Sequence, residues 1–490
     1  MTMTQPPNIV LIMSDQHRAD VMGCAGDQAA ITSNIDRLAN EGTRFTRTDC
    51  QGPLCMPGRA SFLTERWVRD HGVFDNYAEL PAGTPTFVKS LKGAGYYTAK
   101  IGKMHFWMHS KHPDRTSWDF IPFMESLGFD ESIETLGKHA SLRRDNPYSS
   151  HLRQRGLLEA YEQMLRDLSY ATDGSQSTPT WDASPCDMPI DDYVDAWHGI
   201  ETERWIENYD HDDPFFLWVG FPGPHDPWDA PQAARDWYSD IEVPGPGSFA
   251  PPDLTDTENL SGLIEMMMGI ADSATLTPER LNTVRVAYYA AVAIIDKAIG
   301  RIVSALERTG KLDNTWIIYT SDHGEMLGEH TMLLKCVFYD PSIKVPLVVR
   351  PPGGMSPKEV TEIVEHFDAA AMIREIAGAA APEASAARSI LDHVTGDGSA
   401  CERREVSITE NWGFAAFETD GHKLVIDEDT MTPVQLFDRI ADPMEDTNLV
   451  ADPQMGDVVG EMMEGHARPF LADGAKRPHR SIFASERLGQ

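Results

Sequence analysis

Asn8-Ile9-Val10-Leu11-Ile12-Met13-Ser14-Asp15-Gln16 is the stretch on which the fold turns. Its apolar run is short, rich in β-branched residues and stopped by Ser14-Asp15, a pattern that favours a buried strand over a helix. The arrangement recurs. Thr98-Ala99-Lys100-Ile101 leads into Gly102-Lys103-Met104-His105, and Phe215 to Val219 leads into Pro222-Gly223-Pro224-His225. Trp316 to Tyr319 leads into Ser321-Asp322-His323-Gly324, and Val345 to Val349 is a fifth strand candidate. Helix-period segments lie between them. The clearest has Tyr288, Val292, Ile295, Ile299, Ile302 and Leu306 on one face and ends near Gly310. Strands alternating with helices predict an α/β fold, with a large, mostly parallel or mixed sheet sandwiched by helices. Ligands of such sheets collect at the carboxyl ends of the strands. Here four strands end in residues able to hold a metal or an anion.

Around residues 376 to 400 the chain turns rich in Ala, Glu, Ser and Gly, which predicts a change of unit. The expected division is a catalytic α/β domain over 1–395 and a small C-terminal α+β subdomain over 396–490. Phe414 to Asp427 and Val434 to Phe437 read as short antiparallel strands, and residues 170 to 192 as an inserted loop. Lys+Arg 42 against Asp+Glu 76 gives a formal charge of −34. That surface repels nucleic acid and anionic membranes, so neither is an expected partner. The acidity itself reads as solubility or a saline habitat. No apolar stretch has membrane-spanning length. The N-terminus lacks a basic n-region and a small-residue cleavage site. With six scattered cysteines (24, 50, 55, 186, 336, 401) read as free thiols, the expected compartment is the cytoplasm.

The chemistry centres on Cys55-Met56-Pro57-Gly58-Arg59, followed by Ala60-Ser61-Phe62-Leu63-Thr64. Alone, this is a structural cysteine before a helix or a thiolate activated by Arg59. Asp15 and Asp322 offer hard oxygen ligands, Gln16 an amide oxygen and His323 an imidazole nitrogen. Singly, Asp15 is as good a turn residue as a ligand, and a lone lysine or histidine is usually a solvated or satisfied polar group.

Taken jointly, these motifs resemble those of the sulfatase family. Cys-x-Pro-x-Arg stands about forty residues after a strand ending in Asp15-Gln16. The resemblance extends through Gly102-Lys103-Met104-His105, Pro224-His225-Asp226-Pro227, Ser321-Asp322-His323-Gly324-Glu325 and Lys335. It implies an alkaline phosphatase-like fold and hydrolysis of small-molecule sulfate monoesters, aryl, alkyl or sugar. Cys55 would be oxidised to formylglycine by a formylglycine-generating maturation enzyme, and the hydrate would be the nucleophile. Asp15, Gln16, Asp322, His323 and the modified Cys55 would hold one divalent metal. Ca²⁺ is the family default. Mn²⁺ is the alternative, because Gln16 and His323 stand where many sulfatases carry Asp and Asn. Arg59 would lock the hydrate, and Lys103 and Lys335 would contact the sulfate. His225, with Lys335, would protonate the leaving oxygen. Asp322 would take the proton of the attacking hydroxyl, and His105 that of the second. Asn76 matches a substrate-side position, and a homo-oligomer is a family-level expectation.

Two residues depart from the family pattern: Gly58 replaces the more frequent Ser or Ala, and Glu65 the usual Gly. Trp107, His109, His112, Trp118 and Trp228 are candidates for lining a leaving-group pocket. Two rival readings remain. One is a phosphonate monoester or phosphodiester hydrolase of the same superfamily, which the Lys103-x-His105 pair disfavours. The other is a non-catalytic binder of sulfated ligands in which Cys55 stays unoxidised.

Overall fold

The computed structural model describes residues 6–107, 115–138, 145–168, 181–253 and 258–472. His109, His112 and residues 170–180 of the expected inserted loop lie outside them. In chain order the strands begin with β1 (Asn8–Asp15), β2 (Thr43–Phe45), β3 (Thr48–Asp49), β4 (Tyr97–Gly102) and β5 (Glu131–Ile133). There follow β6 (Phe215–Pro224), β7 (Thr315–Ser321), β8 (Leu347–Arg350), β9 (Lys358–Val360) and β10 (Val364–Glu365). The last four are β11 (Ser407–Asn411), β12 (Phe414–Glu418), β13 (His422–Asp427) and β14 (Thr432–Asp438).

β1 lies inside an eight-stranded sheet of order β5-β4-β6-β1-β7-β8-β2-β9. β5, β4, β6, β1 and β7 are mutually parallel, while β8 runs antiparallel to both β7 and β2. The sheet is therefore mixed, as expected. β8 starts only at Leu347, after Pro346, which cannot donate to the ladder. Alternate residues of β1 enter two cores. Ile9, Leu11 and Met13 join Phe62, Phe87 and Trp218, whereas Val10 and Ile12 join Ile295, Ile299 and Ile302. Burial of both faces is why the strand reads as a continuous apolar run. The second core is closed by the Pro278–Arg308 helix, capped by Thr277 Oγ1 accepting from the Arg280 N–H. Gly310, at φ 67°, follows its end.

Because the central strands are parallel, their carboxyl ends share one edge. Asp15 is level with Pro224, Ser14 with Ser321, and Gly102 with Gly220. Gly102 is at φ 102°, and a Cβ there would lie 2.0 Å from Gly220 O. Only glycine admits this approach, which lets the Lys103 N–H donate to Gly220 O at 2.8 Å.

Val394, in the Leu391–Thr395 helix, still packs into the core beneath the large sheet. β11 to β14 form a four-stranded antiparallel sheet. β11, Ser-Ile-Thr-Glu-Asn, escaped the sequence reading because it has one apolar residue, yet all five are buried. What covers it is the catalytic side of the molecule. The Glu410 N–H donates to Gln51 O at 2.9 Å, and Asn411 Nδ2 to Cys336 O at 2.7 Å. Arg69 clamps the joint: Nε donates to Glu410 at 2.6 Å and Nη2 to Glu428 at 3.1 Å, with the guanidinium 4.2 Å from the Phe470 ring centroid. Among the described residues no helix is long and apolar enough to cross a membrane. All six cysteines are free thiols.

Removing Arg69 takes the guanidinium away from two buried carboxylates. Arg69→Met is expected to lower stability by about 3–5 kcal/mol. A thermal midpoint equal to that of the unmutated protein would show that the clamp contributes nothing.

Candidate active site

Cys55 opens the Cys55–Thr64 helix, every residue of which is buried. Leu54 precedes it and supplies no side-chain cap. Instead Asn76 Oδ1 accepts the Met56 N–H at 3.0 Å, satisfying one of the helix's open donors. Asn76 thus joins the helix start through its carbonyl oxygen. The four-residue spacing puts Arg59 one turn along the same face as Cys55. Gly58 faces a strand end: a Cβ there would lie 2.8 Å from Asp322 O and 2.9 Å from Gly52 O. The absence of Ser or Ala at 58 is therefore steric. Glu65 ends the helix at φ 56°, a conformation glycine adopts more readily. Its buried carboxylate pairs with Arg374 at 3.2 Å and with Ser385 Oγ, which offsets the backbone strain.

Arg59 is fully buried. Nε donates to Asp322 Oδ2 at 2.7 Å, Nη1 to Lys103 O at 2.8 Å and Nη2 to Asp15 Oδ2 at 3.2 Å. Lys103 Nζ also reaches Asp15 Oδ2, at 2.5 Å. Burial opposes the charge on Asp15, but Lys103, His225, Arg59 and His323 hold its carboxyl well below the usual range. Burial likewise pushes the His323 imidazole down, toward the neutral form. Its Nδ1 lies 2.9 Å from Gly324 O, which assigns the proton to Nδ1 and leaves the lone pair on Nε2. That lone pair faces Cys55 Sγ at 3.3 Å, Asp322 Oδ1 at 3.7 Å and Asp15 Oδ1 at 3.8 Å. Ligand atoms of Asp15, Cys55, Asp322 and His323 all lie within 4.8 Å of one another, and all four residues are buried. Two carboxylates and a neutral imidazole converging in this way fit a divalent cation.

Lys335 stands beside this cluster. Its Nζ donates to Gln16 Oε1, and lies 2.6 Å from His225 Nε2 and 3.9 Å from Asp226 Oδ1. Burial opposes the ammonium, while Cys55, Asp226 and Asp15 hold its pKa above the ordinary value. His225 Nδ1 lies 2.7 Å from Asp226 O, so Nε2 is the nitrogen turned toward Lys335 and, at 4.0 Å, Asp15 Oδ1. His105 lies two residues past Lys103, half-buried and at φ 59°. Two of the aromatic candidates are closed off from solvent. Trp107 is 2 % exposed and stacked on Phe120 at 4.1 Å, and Trp228 is 1 % exposed. Trp118 alone of the three tryptophans is open to solvent.

Three buried groups stand behind the site, of which the two lysines escaped the sequence reading. Lys138 Nζ donates to Tyr193 Oη at 2.8 Å, Asp229 Oδ1 at 2.9 Å, and the carbonyls of His225 and Pro227 at 3.0 Å each, pinning the His225 loop. Lys100 Nζ contacts Glu134 Oε2 at 2.5 Å and Gly102 O at 3.0 Å, while Glu134 Oε1 accepts the Met104 N–H, bracing the Lys103 loop. Burial drops Lys100 to about 8. Glu325, pushed up to about 7 by burial, accepts N–H groups from Leu327 and Leu334. The segment it closes holds Leu327, His330, Thr331, Leu334 and Cys336 at positive φ, and carries Lys335. No motif marks Lys138 or Lys100. Glu325 stood in a motif, and its partners are what the sequence could not show.

A sulfatase family profile matches residues 7–379, and the profile of the N-sulphoglucosamine sulphohydrolase C-terminal region matches 328–468. The chain is 29% identical to an arylsulfatase of Clostridium perfringens over 91% of its own length and 90% of the relative's. It is 30% identical to a choline-sulfatase of Rhizobium meliloti, covering 92% and 84%. The solved phosphonate monoester hydrolase of Agrobacterium radiobacter superposes with a TM-score of 0.76 at 25% identity, over 95% of both chains.

The contact between Gly58 and Asp322 gives a test of the helix docking. Gly58→Ser, which installs a residue frequent in the resembling motif, should destabilise this protein by about 1–3 kcal/mol through overpacking. A thermal midpoint that stays level or rises would refute the steric account.

Proposed function

The chain belongs to the sulfatase family, and on that premise we propose that it hydrolyses small-molecule sulfate monoesters, with Cys55 oxidised to formylglycine by a maturation enzyme. The observation that carries the reading is the convergence of Lys103, Arg59, Lys335 and His225 on the buried Asp15–Cys55–Asp322–His323 cluster. Formylglycine, as its hydrate, would supply one hydroxyl to attack sulfur and a second to expel the sulfate. Asp15, Asp322, His323, Gln16 and the modified Cys55 would hold the metal, which would supply Lewis acidity toward a sulfuryl oxygen. Ca²⁺ is the expected ion, and Mn²⁺ competes because His323 contributes an imidazole nitrogen. Elemental analysis of the purified protein decides between them.

The residues of the chain divide the remaining work. Arg59, occupied by Asp15, Asp322 and a carbonyl, orients the nucleophile end of its helix and helps hold the Asp15 carboxyl below its usual range. Lys103 and Lys335 present ammonium groups to the sulfate oxygens. The Lys335 ammonium passes a proton through His225 Nε2, its hydrogen-bond partner, to the leaving oxygen. Asp322 accepts the proton of the attacking hydroxyl, and His105 that of the second. A lysine at 103 with a histidine at 105 suits a monoester sulfate, which supports sulfatase over phosphonate hydrolysis. The six free thiols favour a reducing compartment, the cytoplasm.

Protein matured with the formylglycine-generating enzyme should release inorganic sulfate from aryl sulfates, and its Cys55 peptide should carry the mass of the aldehyde. Cys55→Ala should lower kcat/KM at least about a thousandfold. An unmodified thiol in active protein, or preference for a phenylphosphonate ester, would overturn the assignment. Lys138 offers a separate test. General-acid help is worth about 10²–10⁴-fold, and poor leaving groups need it most. Lys138→Met, which frees the His225 loop, should slow alkyl sulfates at least about tenfold more than 4-nitrophenyl sulfate. Equal losses on both substrates would reduce Lys138 to a structural role.

A further inference from the structure

Gln16 sits between the metal cluster and the segment that carries Lys335, and its amide is held at both ends. Oε1 accepts from Lys335 Nζ, and Nε2 donates to Glu325 Oε2. The Lys335 ammonium only donates, so the amide oxygen faces it and the amide nitrogen faces Glu325 Oε2. A single orientation of Gln16 therefore satisfies both neighbours: oxygen toward Lys335, nitrogen toward Glu325. The Gln16 backbone is anchored as well, its N–H donating to Asp322 Oδ1 at 3.1 Å and its carbonyl accepting from Tyr288 Oη at 2.7 Å. The remaining freedom is the flip of the amide.

We propose that Glu325 is a positioning residue that keeps the Gln16 carbonyl oxygen turned toward the metal and Lys335, and that this pairing is why position 16 carries an amide. The inference rests on the reading of Gln16 as a metal ligand. Glu325 is suited to the task because it cannot itself turn. It is fully buried, and its Oε1 is fixed by the N–H groups of Leu327 at 2.9 Å and Leu334 at 2.6 Å. A carboxylate at position 16 would place like charges face to face against Glu325. An amide presents oxygen forward and a donor backward. The amide at position 16 is thus matched to the buried glutamate behind it.

A double-mutant cycle separates this role from loop support. Affinity for Mn²⁺ and for Ca²⁺ is measured calorimetrically on the full-length, metal-stripped protein. In the Gln16 background, Glu325→Gln sets an amide nitrogen against Gln16 Nε2, flips the Gln16 amide and should weaken binding roughly 10–100-fold. In the Gln16→Glu background the same Glu325→Gln change restores a donor–acceptor pair, and affinity should hold or rise. Equal loss in both backgrounds overturns the proposal, because Glu325 would then act only by holding Leu327 and Leu334. If Glu325→Gln alone does not fold, the Gln16→Glu/Glu325→Gln protein should fold and bind, and its failure counts against the proposal. Unmutated protein that binds neither ion and releases no sulfate sinks the functional reading and this inference with it. Unmutated protein that does both, beside a Glu325→Gln variant of equal affinity, sinks the inference alone.

Discussion

The Arg59 guanidinium is the interaction on which the rest of the site depends. A fully buried cation is costly unless its charge and its donors are matched. Here Nε, Nη1 and Nη2 meet Asp322, Lys103 O and Asp15 respectively, so one side chain on a helix ties together the ends of three strands. The dependence is mutual. Without Arg59 and Lys103, the buried carboxylates of Asp15 and Asp322 would face each other without these cationic partners. Without the carboxylates, the guanidinium would lack compensation. The electrostatic balance that docks the Cys55–Thr64 helix is thus the one that holds Asp15 and Asp322 beside Cys55 and His323.

The same balance resolves the conflict between an acidic protein and an anionic substrate. The formal charge is −34, but exposed charges are screened over about 10 Å in ordinary salt. The ammonium groups of Lys103 and Lys335 lie in buried surroundings, where screening is weak and each charge acts at full strength over short distances. The distant surface governs solubility, while these local cations set the field around the buried cluster.

The C-terminal sheet belongs to this arrangement. β11 bonds to Gln51, just ahead of the nucleophile, and to the carbonyl of Cys336, next to Lys335. Its polar residues are buried because they meet polar backbone there. That is also why β11 is silent in the hydrophobic pattern. The strained segment carrying Lys335 is held from two sides, by Glu325 and by Asn411.

By itself, the sequence determined the central strands, the long helix behind them, and the strand-end positions of Asp15, Lys103, His225 and Asp322. Apolar runs and helical periods are local signals, and parallel order then brings those ends to one edge. Tertiary structure alone decided what each polar group meets there. It turned the Asn76 oxygen to the helix start, buried Trp107 and Trp228 in the core, made Gly58 a steric necessity, and set Lys138 and Glu325 behind His225 and Gln16. These outcomes follow from contacts between segments far apart in the chain, and no periodicity or short motif records which donor will face which acceptor.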